Sequence, residues 1–364
     1  MPKPFNVTIA YIITHVGLIF FTFPTYIIES TRQSHWMPIL TAFLFHLVIV
    51  SVYLKGLSYF EGKNIVMILM GSHKIVAWVT LLPVLLNLLG VIILGVRANA
   101  EIVSIVCLAN TPLWMLMLLL LLIPGYMVIG GGVKSLLRLA LLLTFLFAIP
   151  LLFVIAASFQ NIDWRYIFPL IPSAAAVNYL AHPSFYKSLF AFTGVFLLLG
   201  FFPSFAVVKM KSIFAGSLIL LPIFLISVYV PILTLGEETA LQLQYPYIFT
   251  VDTLEINWLM FDRVTVFLLM ILLAFEFLFI AFTVWQIFYT IQTSLKNWNP
   301  LIIVSCVLLL VYIICLCIPD WKLVDQFFQW NTVLRIYVSV VTPSIIFILG
   351  RIHQKKINRE LKSS

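Results

Sequence analysis

Tyr11-Ile-Ile-Thr14-His15-Val16-Gly17-Leu-Ile-Phe-Phe-Thr-Phe-Pro24 is the stretch on which the fold turns. It lies inside an uncharged run from Val7 to Ile28. At 1.5 Å per residue such a run crosses a hydrocarbon core of about 30 Å. It is too long for the apolar region of a cleavable signal, and no small-residue cleavage site follows it. It therefore reads as a first transmembrane helix, but a weakened one. A polar Thr14-His15 pair is followed by Gly17 and then by Pro24.

A second stretch repeats the pattern. Phe190-Ala-Phe192-Thr193-Gly194-Val-Phe-Leu-Leu-Leu-Gly200-Phe-Phe-Pro203 again places Thr–Gly ahead of Pro. In transporters built from inverted repeats, the substrate site forms where corresponding helices of the two halves are interrupted. The matched pattern predicts breaks near Thr14–Gly17 and Phe192–Gly194, facing each other across a central cavity. Unwound backbone there offers N–H and C=O groups to a small zwitterion. Packing glycines with simple proline kinks remain the alternative.

The rest of the chain agrees with a membrane protein. Of 364 residues, 63% are hydrophobic and 9% charged, against about 25% charged in soluble domains. Ten apolar spans fall at roughly 6–29, 37–54, 74–97, 112–130, 137–157, 184–206, 212–235, 263–293, 300–318 and 331–350. With the N-terminus inside, fourteen Lys and Arg face the cytoplasm and seven (Arg32, Arg97, Arg165, Lys187, Arg263, Lys322 and Arg335) face outward. That bias is the positive-inside rule, with both termini cytoplasmic. The net charge of +8 is a topology signal, and nucleic-acid binding is excluded as a function. Tryptophans cluster at span ends as an interfacial belt, with Trp285 alone well inside a span. The chain reads as a single domain, 1–364, with five-helix halves at 1–157 and 184–350 and a basic tail at 351–364. Because five is odd, the halves have opposite orientation, so an inverted five-plus-five repeat is available.

Several residues stand out as candidates for chemistry. Glu276 is the one carboxylate in mid-span, and an intramembrane acid is a functional hypothesis by default. It suits a proton, a cation or a ligand ammonium. A protonated acid hydrogen-bonded to a neighbouring helix is the other reading. His15 could donate to a carboxylate or change protonation near neutral pH; His46 reads as structural. The expected ligand site comprises Thr14, His15, Val16, Gly17, Asn87, Phe192, Thr193 and Gly194. Arg97 and Glu101, one turn apart, form either an outer-vestibule pair or a plain salt bridge. Lys187 reads as a snorkelling lysine. Cys107, Cys306, Cys315 and Cys317 form neither a disulfide framework nor a metal spacing. No P-loop, G-x-G-x-x-G, G-x-S-x-G or H-E-x-x-H motif occurs. No enzyme activity, cofactor or metal is expected.

Val96-Arg97-Ala-Asn-Ala-Glu101-Ile-Val, with Asn110-Thr-Pro112, resembles the R-x-x-A-E…(N/R)-T-P signature of spore germinant receptor B subunits. Gly130-Gly-Gly-Val133 resembles that family's glycine cluster after helix 4. Tyr245-Pro-Tyr-Ile-Phe is similar to its W-P-T-I-S stretch, and Leu259-Met-Phe-Asp-Arg-Val264 to its I-F-I-E-R-F stretch before helix 8. The resemblance covers nearly the whole chain. It implies an all-α membrane protein of the amino-acid permease type, in the amino acid/polyamine/organocation superfamily, with broken helices 1 and 6. It implies a nutrient-sensing subunit in the spore inner membrane, working with A and C subunits on a small nutrient such as an amino acid. Helix 1 departs from the family's G-A-G and L-P-R, carrying His15-Val16-Gly17 and Phe23-Pro24-Thr25. Val195 and Phe196 stand where helix 6 of the family has an acid. A proton-coupled amino-acid transporter and a subunit serving receptor assembly remain open as alternatives.

The charge pattern sets a topology test. In a cysteine-free background, single cysteines at Lys134 and Thr239 are expected to react with an impermeant thiol reagent from opposite sides. Labelling of both from one side contradicts the topology.

Overall fold

A computed structural model describes residues 4–168, 174–193, 196–254, 264–294 and 298–363. Gly194, Val195, Arg263 and most of the 259–264 stretch, all used above, lie outside the described residues. Hydrocarbon satisfies no backbone polar group, so a spanning chain must hydrogen-bond to itself. Accordingly, the described residues contain helices and no strand.

The helices are α1 (Pro4–Ile19), α2 (Phe23–Ser30), α3 (Trp36–Leu57), α4 (Ile65–Met70), α5 (Lys74–Val106) and α6 (Leu113–Ala157). There follow α7 (Pro183–Ser188), α8 (Phe190–Thr193), α9 (Phe196–Phe201), α10 (Met210–Leu235), α11 (Glu237–Gln242) and α12 (Pro246–Asp252). The bundle ends with α13 (Val264–Ser294), α14 (Pro300–Leu316) and α15 (Trp321–Ser363). Seven helical runs are long and apolar enough to cross a membrane, or eight if the bent pair α1–α2 is one span. The expected count of ten is therefore met only in part. Two local features account for the difference. The 45 residues of α6 would reach about 68 Å if straight, twice a hydrocarbon core. The backbone leaves the helix at Gly132, with φ 59° and ψ −167°, a conformation that needs glycine. This is the Gly130–Gly132 turn foreseen between spans 4 and 5. α14 has only 17 residues.

Helix 1 is broken, but not where expected. α1 runs unbroken through Thr14–Gly17. The Thr14 hydroxyl donates to the carbonyls of Ala10 (2.7 Å) and Tyr11 (3.1 Å), and His15 Nδ1 to that of Tyr11 (2.7 Å), so both side chains turn back into their own helix. Gly17 serves close packing: a Cβ there would lie 3.2 Å from Phe275 Cβ and 3.3 Å from the Glu276 backbone nitrogen. The break falls at Phe20–Thr22, and α2 leaves at 62°. Pro24 dictates the position. It has no N–H for the carbonyl of Phe20, four residues back, and its ring crowds that carbonyl. In the second half, a turn at Leu189 separates α7 from α8, and α8 ends at Thr193.

α1 packs against α10, α13 and α6 at the centre of the bundle, and α13 lies along α6. α3 and α15 cross with no space between them. A Cβ on Gly56 would fall 2.8 Å from the Phe347 backbone nitrogen, and one on Gly350 would fall 2.9 Å from the Gly56 carbonyl oxygen. Backbone on both sides leaves nothing to yield. Gly56→Val is therefore expected to cost about 2–3 kcal/mol by overpacking, read as a lower midpoint of thermal unfolding in detergent. An unchanged midpoint removes this crossing from the account of stability.

Candidate functional site

The break in helix 1 opens a cavity of about 60 Å³. Leu18 of α1, Phe21 and Thr22 of the break, Gly95 and Asn99 of α5, Glu276 of α13, and Phe328 and Arg335 of α15 line it. Its wall is mostly apolar, so its few polar groups are conspicuous. Glu276 is 2% exposed, and its Oε1 packs against Gly95, where a Cβ would sit 2.9 Å from it. Asn99 hydrogen-bonds the Glu276 carboxyl and also donates to the Gly95 carbonyl at 2.8 Å. Glu276 Oε2 and Asn99 Oδ1 keep no hydrogen-bond partner. Arg335 is also 2% exposed. Its guanidinium lies 5.3 Å from the ring of Phe328 and 5.8 Å from that of Phe190.

A wider vestibule of about 530 Å³ adjoins this cavity, and Thr22 belongs to both. Tyr26, Phe190 and Phe328 close the passage between them, with ring centroids 5.1 Å (Tyr26–Phe328) and 5.2 Å (Phe190–Phe328) apart. Lys187 and Asp325 brace the seal from the vestibule side through an ion pair of 2.7 Å, and the Lys187 ammonium lies 5.6 Å over the Tyr26 ring. A small molecule entering from the vestibule must move an aromatic side chain. Once inside, it would be out of contact with water.

None of the described residues of the expected ligand site lines this cavity, whereas Glu276, expected as an ion or proton site, does. Thr14, His15, Val16, Phe192 and Thr193 are buried further along α1 and α8. They bring helices 1 and 6 into direct contact where a cavity between them was expected: His15 Nε2 lies 3.4 Å from the Phe192 carbonyl, and Phe23 packs edge-on against Phe192. His46 joins this group through Tyr11, whose hydroxyl also meets Ser217 at 2.8 Å. Asn87 is buried on α5, one helical turn before the lining residue Val91, with its carbonyl oxygen unpartnered. Gly17 sits against α13 beside Glu276.

The other charged candidates are structural. Arg97 donates from Nε to the carbonyl of Ile318 (3.1 Å), from Nη2 to that of Pro319 (3.3 Å), and from Nη1 to Glu101 (2.6 Å). It ties down the turn that follows α14, and Glu101, one helical turn on from Arg97, aims the guanidinium, which fits the R-x-x-A-E spacing. Neither residue lines the cavity or the vestibule. Lys187 does not snorkel; it is 8% exposed and paired with Asp325. Arg335 was placed at the outer rim because the apolar run starts near 331, yet α15 begins at Trp321 and carries Arg335 inward. A signal was present in sequence: Thr332, Arg335, Ser339 and Thr342 fall on one helical face, and all are buried.

The apolar helices and the buried polar cavity define an integral membrane protein of helical-bundle type. The chain belongs to the spore germination permease family: that family's pattern, described as spore germination protein, matches residues 3–321. It is 25% identical over 356 residues to spore germination protein B2 of Bacillus subtilis (strain 168), covering 95% of this chain and 94% of that protein. The resemblance carried by Val96–Pro112 and the later motifs therefore holds at the level of the family.

The Arg97 tie yields a stability test. Arg97→Ala leaves Glu101 and the carbonyls of Ile318 and Pro319 without their donor, and is expected to cost about 3 kcal/mol. Thermal unfolding of the purified protein reads this directly. A loss below about 1 kcal/mol removes the tie from the stability account.

Proposed function

We propose that this chain is the nutrient-sensing subunit of a spore germinant receptor. It sits in the spore inner membrane with both termini cytoplasmic and works with A and C subunits. α1–α2 as one span, the two arms of α6 and the short α14 bring the spans to ten, compatible with an inverted five-plus-five repeat of the amino acid/polyamine/organocation type. The nutrient is a small amino acid that reaches the cavity from the vestibule.

The observation that carries this reading is Glu276. Its carboxyl is buried at the helix 1 break with one oxygen unpartnered, and the residue lines a closable cavity. A permanently structural acid would be expected to have both oxygens engaged. Binding there would couple to the break because Gly17 packs on the backbone of the turn that carries Glu276. A ligand that draws on Glu276 pulls on α13, and through it on the elbow of helix 1. A proton-coupled transporter of the same ligand is the second reading, favoured by the same mid-membrane acid. Uptake of labelled amino acid into vesicles separates the two: accumulation supports transport, and binding without accumulation supports sensing.

The decisive experiment compares spores lacking this chain with wild-type spores against single nutrients. Loss of response to at least one nutrient is expected, and undiminished responses to all overturn the sensing role. Gly95→Val, which displaces Glu276 Oε1, is expected to raise the nutrient concentration for half-maximal germination about tenfold or more at normal protein levels. An unchanged concentration rules out this cavity as the sensing site.

A further inference from the structure

Arg335 is the one buried cation of the cavity, and its surroundings do not neutralise it. Among the described residues it forms no ion pair within 4.0 Å. Its Nε has no hydrogen-bond partner, and its hydrogen bond to protein, from Nη1 to the Lys187 carbonyl, is long at 3.5 Å. The rings of Phe190 and Phe328 solvate its faces but offer no acceptor in the guanidinium plane. A guanidinium presents five donors in a fork that matches a carboxylate. Asp325, which adjoins the same seal, is already engaged by Lys187 at 2.7 and 2.8 Å. Within the hydrocarbon a cation in this condition is costly unless something pairs with it.

Glu276, on the same cavity, has the complementary deficiency. Its Oε2 has no donor, and Asn99 and Gly95 occupy its other side. The two opposite charges do not pair with each other, although both line one cavity of about 60 Å³. α13 and α15 hold them apart. A ligand that carries both a negative and a positive group would satisfy both at once.

We propose that Arg335 and Glu276 are the two poles of a zwitterion site, Arg335 taking the carboxylate and Glu276 the ammonium of a small α-amino acid. This rests on the sensing reading for its physiological meaning, though not for its test. The remaining wall, with Leu18, Phe21 and Phe279, is apolar and leaves room only for a short apolar side chain. Arg335 also touches both rings of α8 and α15 that form the seal. Neutralising it by a carboxylate would change what holds those rings, which links occupancy to closure of the vestibule passage.

The test uses the purified full-length protein and four probes, glycine, L-alanine, L-valine and L-leucine, each beside its amide and its desamino acid. Binding is read by calorimetry and by the shift in thermal midpoint. At least one amino acid is expected to bind, with its amide and its desamino acid each about tenfold or more weaker. Arg335→Gln is expected to weaken the amino acid about tenfold or more while leaving its amide unchanged. Arg335→Lys should recover part of the loss, and Glu276→Gln should weaken the amino acid without affecting the desamino acid. Equal binding of amino acid and amide by wild-type protein overturns the proposal, as does wild-type affinity in Arg335→Gln. If Arg335→Gln fails to accumulate, the wild-type probe series decides alone. Binding of none of the four probes also overturns it, and then a chain-dependent germination response to a sugar or nucleoside would leave the sensing role standing. Conversely, the predicted binding with undiminished germination in spores lacking the chain would sustain the site and remove the sensing role.

Discussion

Pro24 has no N–H to give the carbonyl of Phe20, and the centre of the bundle is arranged around that missing hydrogen bond. In water the loss would be small, because solvent replaces the donor. In hydrocarbon it is not replaced, so the break must be enclosed by protein or line a polar cavity. Both conditions hold. The elbow between α1 and α2 is covered by α5, α13 and α15, and it lines the cavity that contains Glu276, Asn99 and Arg335. The position of the cavity thus follows from the stereochemistry of one residue.

The glycines set the tolerances around this elbow. Without a hydrophobic drive between helices in lipid, association depends on close packing, and small residues allow backbones to approach. Gly17 brings α1 against the turn of α13 that carries Glu276, and Gly95 leaves the space into which the Glu276 carboxyl fits. Gly56 and Gly350 fix α15 against α3. α15 is therefore held rigidly in its C-terminal half, while its N-terminal half carries Phe328 of the seal.

Much of this was legible in the sequence. The membrane class, most of the spans, the pairing of helices 1 and 6, and the family all follow from apolar runs, placement of Thr, Gly and Pro, and the motifs from Val96 onward. Glu276 was legible because a lone mid-span carboxylate has no ordinary explanation. The position of the break was misread because Thr14, His15 and Gly17 look like a weak point, whereas polar side chains in lipid commonly bond back to their own helix. The constraint that acts is proline's, and it acts on the carbonyl four residues upstream. Arg335 was hidden by a boundary: hydropathy marks the apolar run, while helix geometry continues to Trp321. Lys187 was misread for the same reason, since the partner it needs, Asp325, lies in that overlooked turn.

The buried ions around the cavity and the vestibule separate into two kinds, and the difference bears on function. Arg97 has three acceptors, one of them Glu101, and Lys187 has both oxygens of Asp325. These ions are complete, and completed ion pairs in a membrane hold helices together. Arg335 and Glu276 are incomplete, though they share a cavity and carry opposite charges. A fold under selection for stability alone could replace both by apolar residues at little loss, because pairs of buried charges are often dispensable in that respect. Retaining one of each, separated and each short of a partner, costs stability in every molecule that holds no ligand. The arrangement is economical only if the missing partners arrive together on one molecule. The ligand class then follows from the protein's own unpaired charges, and its size from the apolar wall between them.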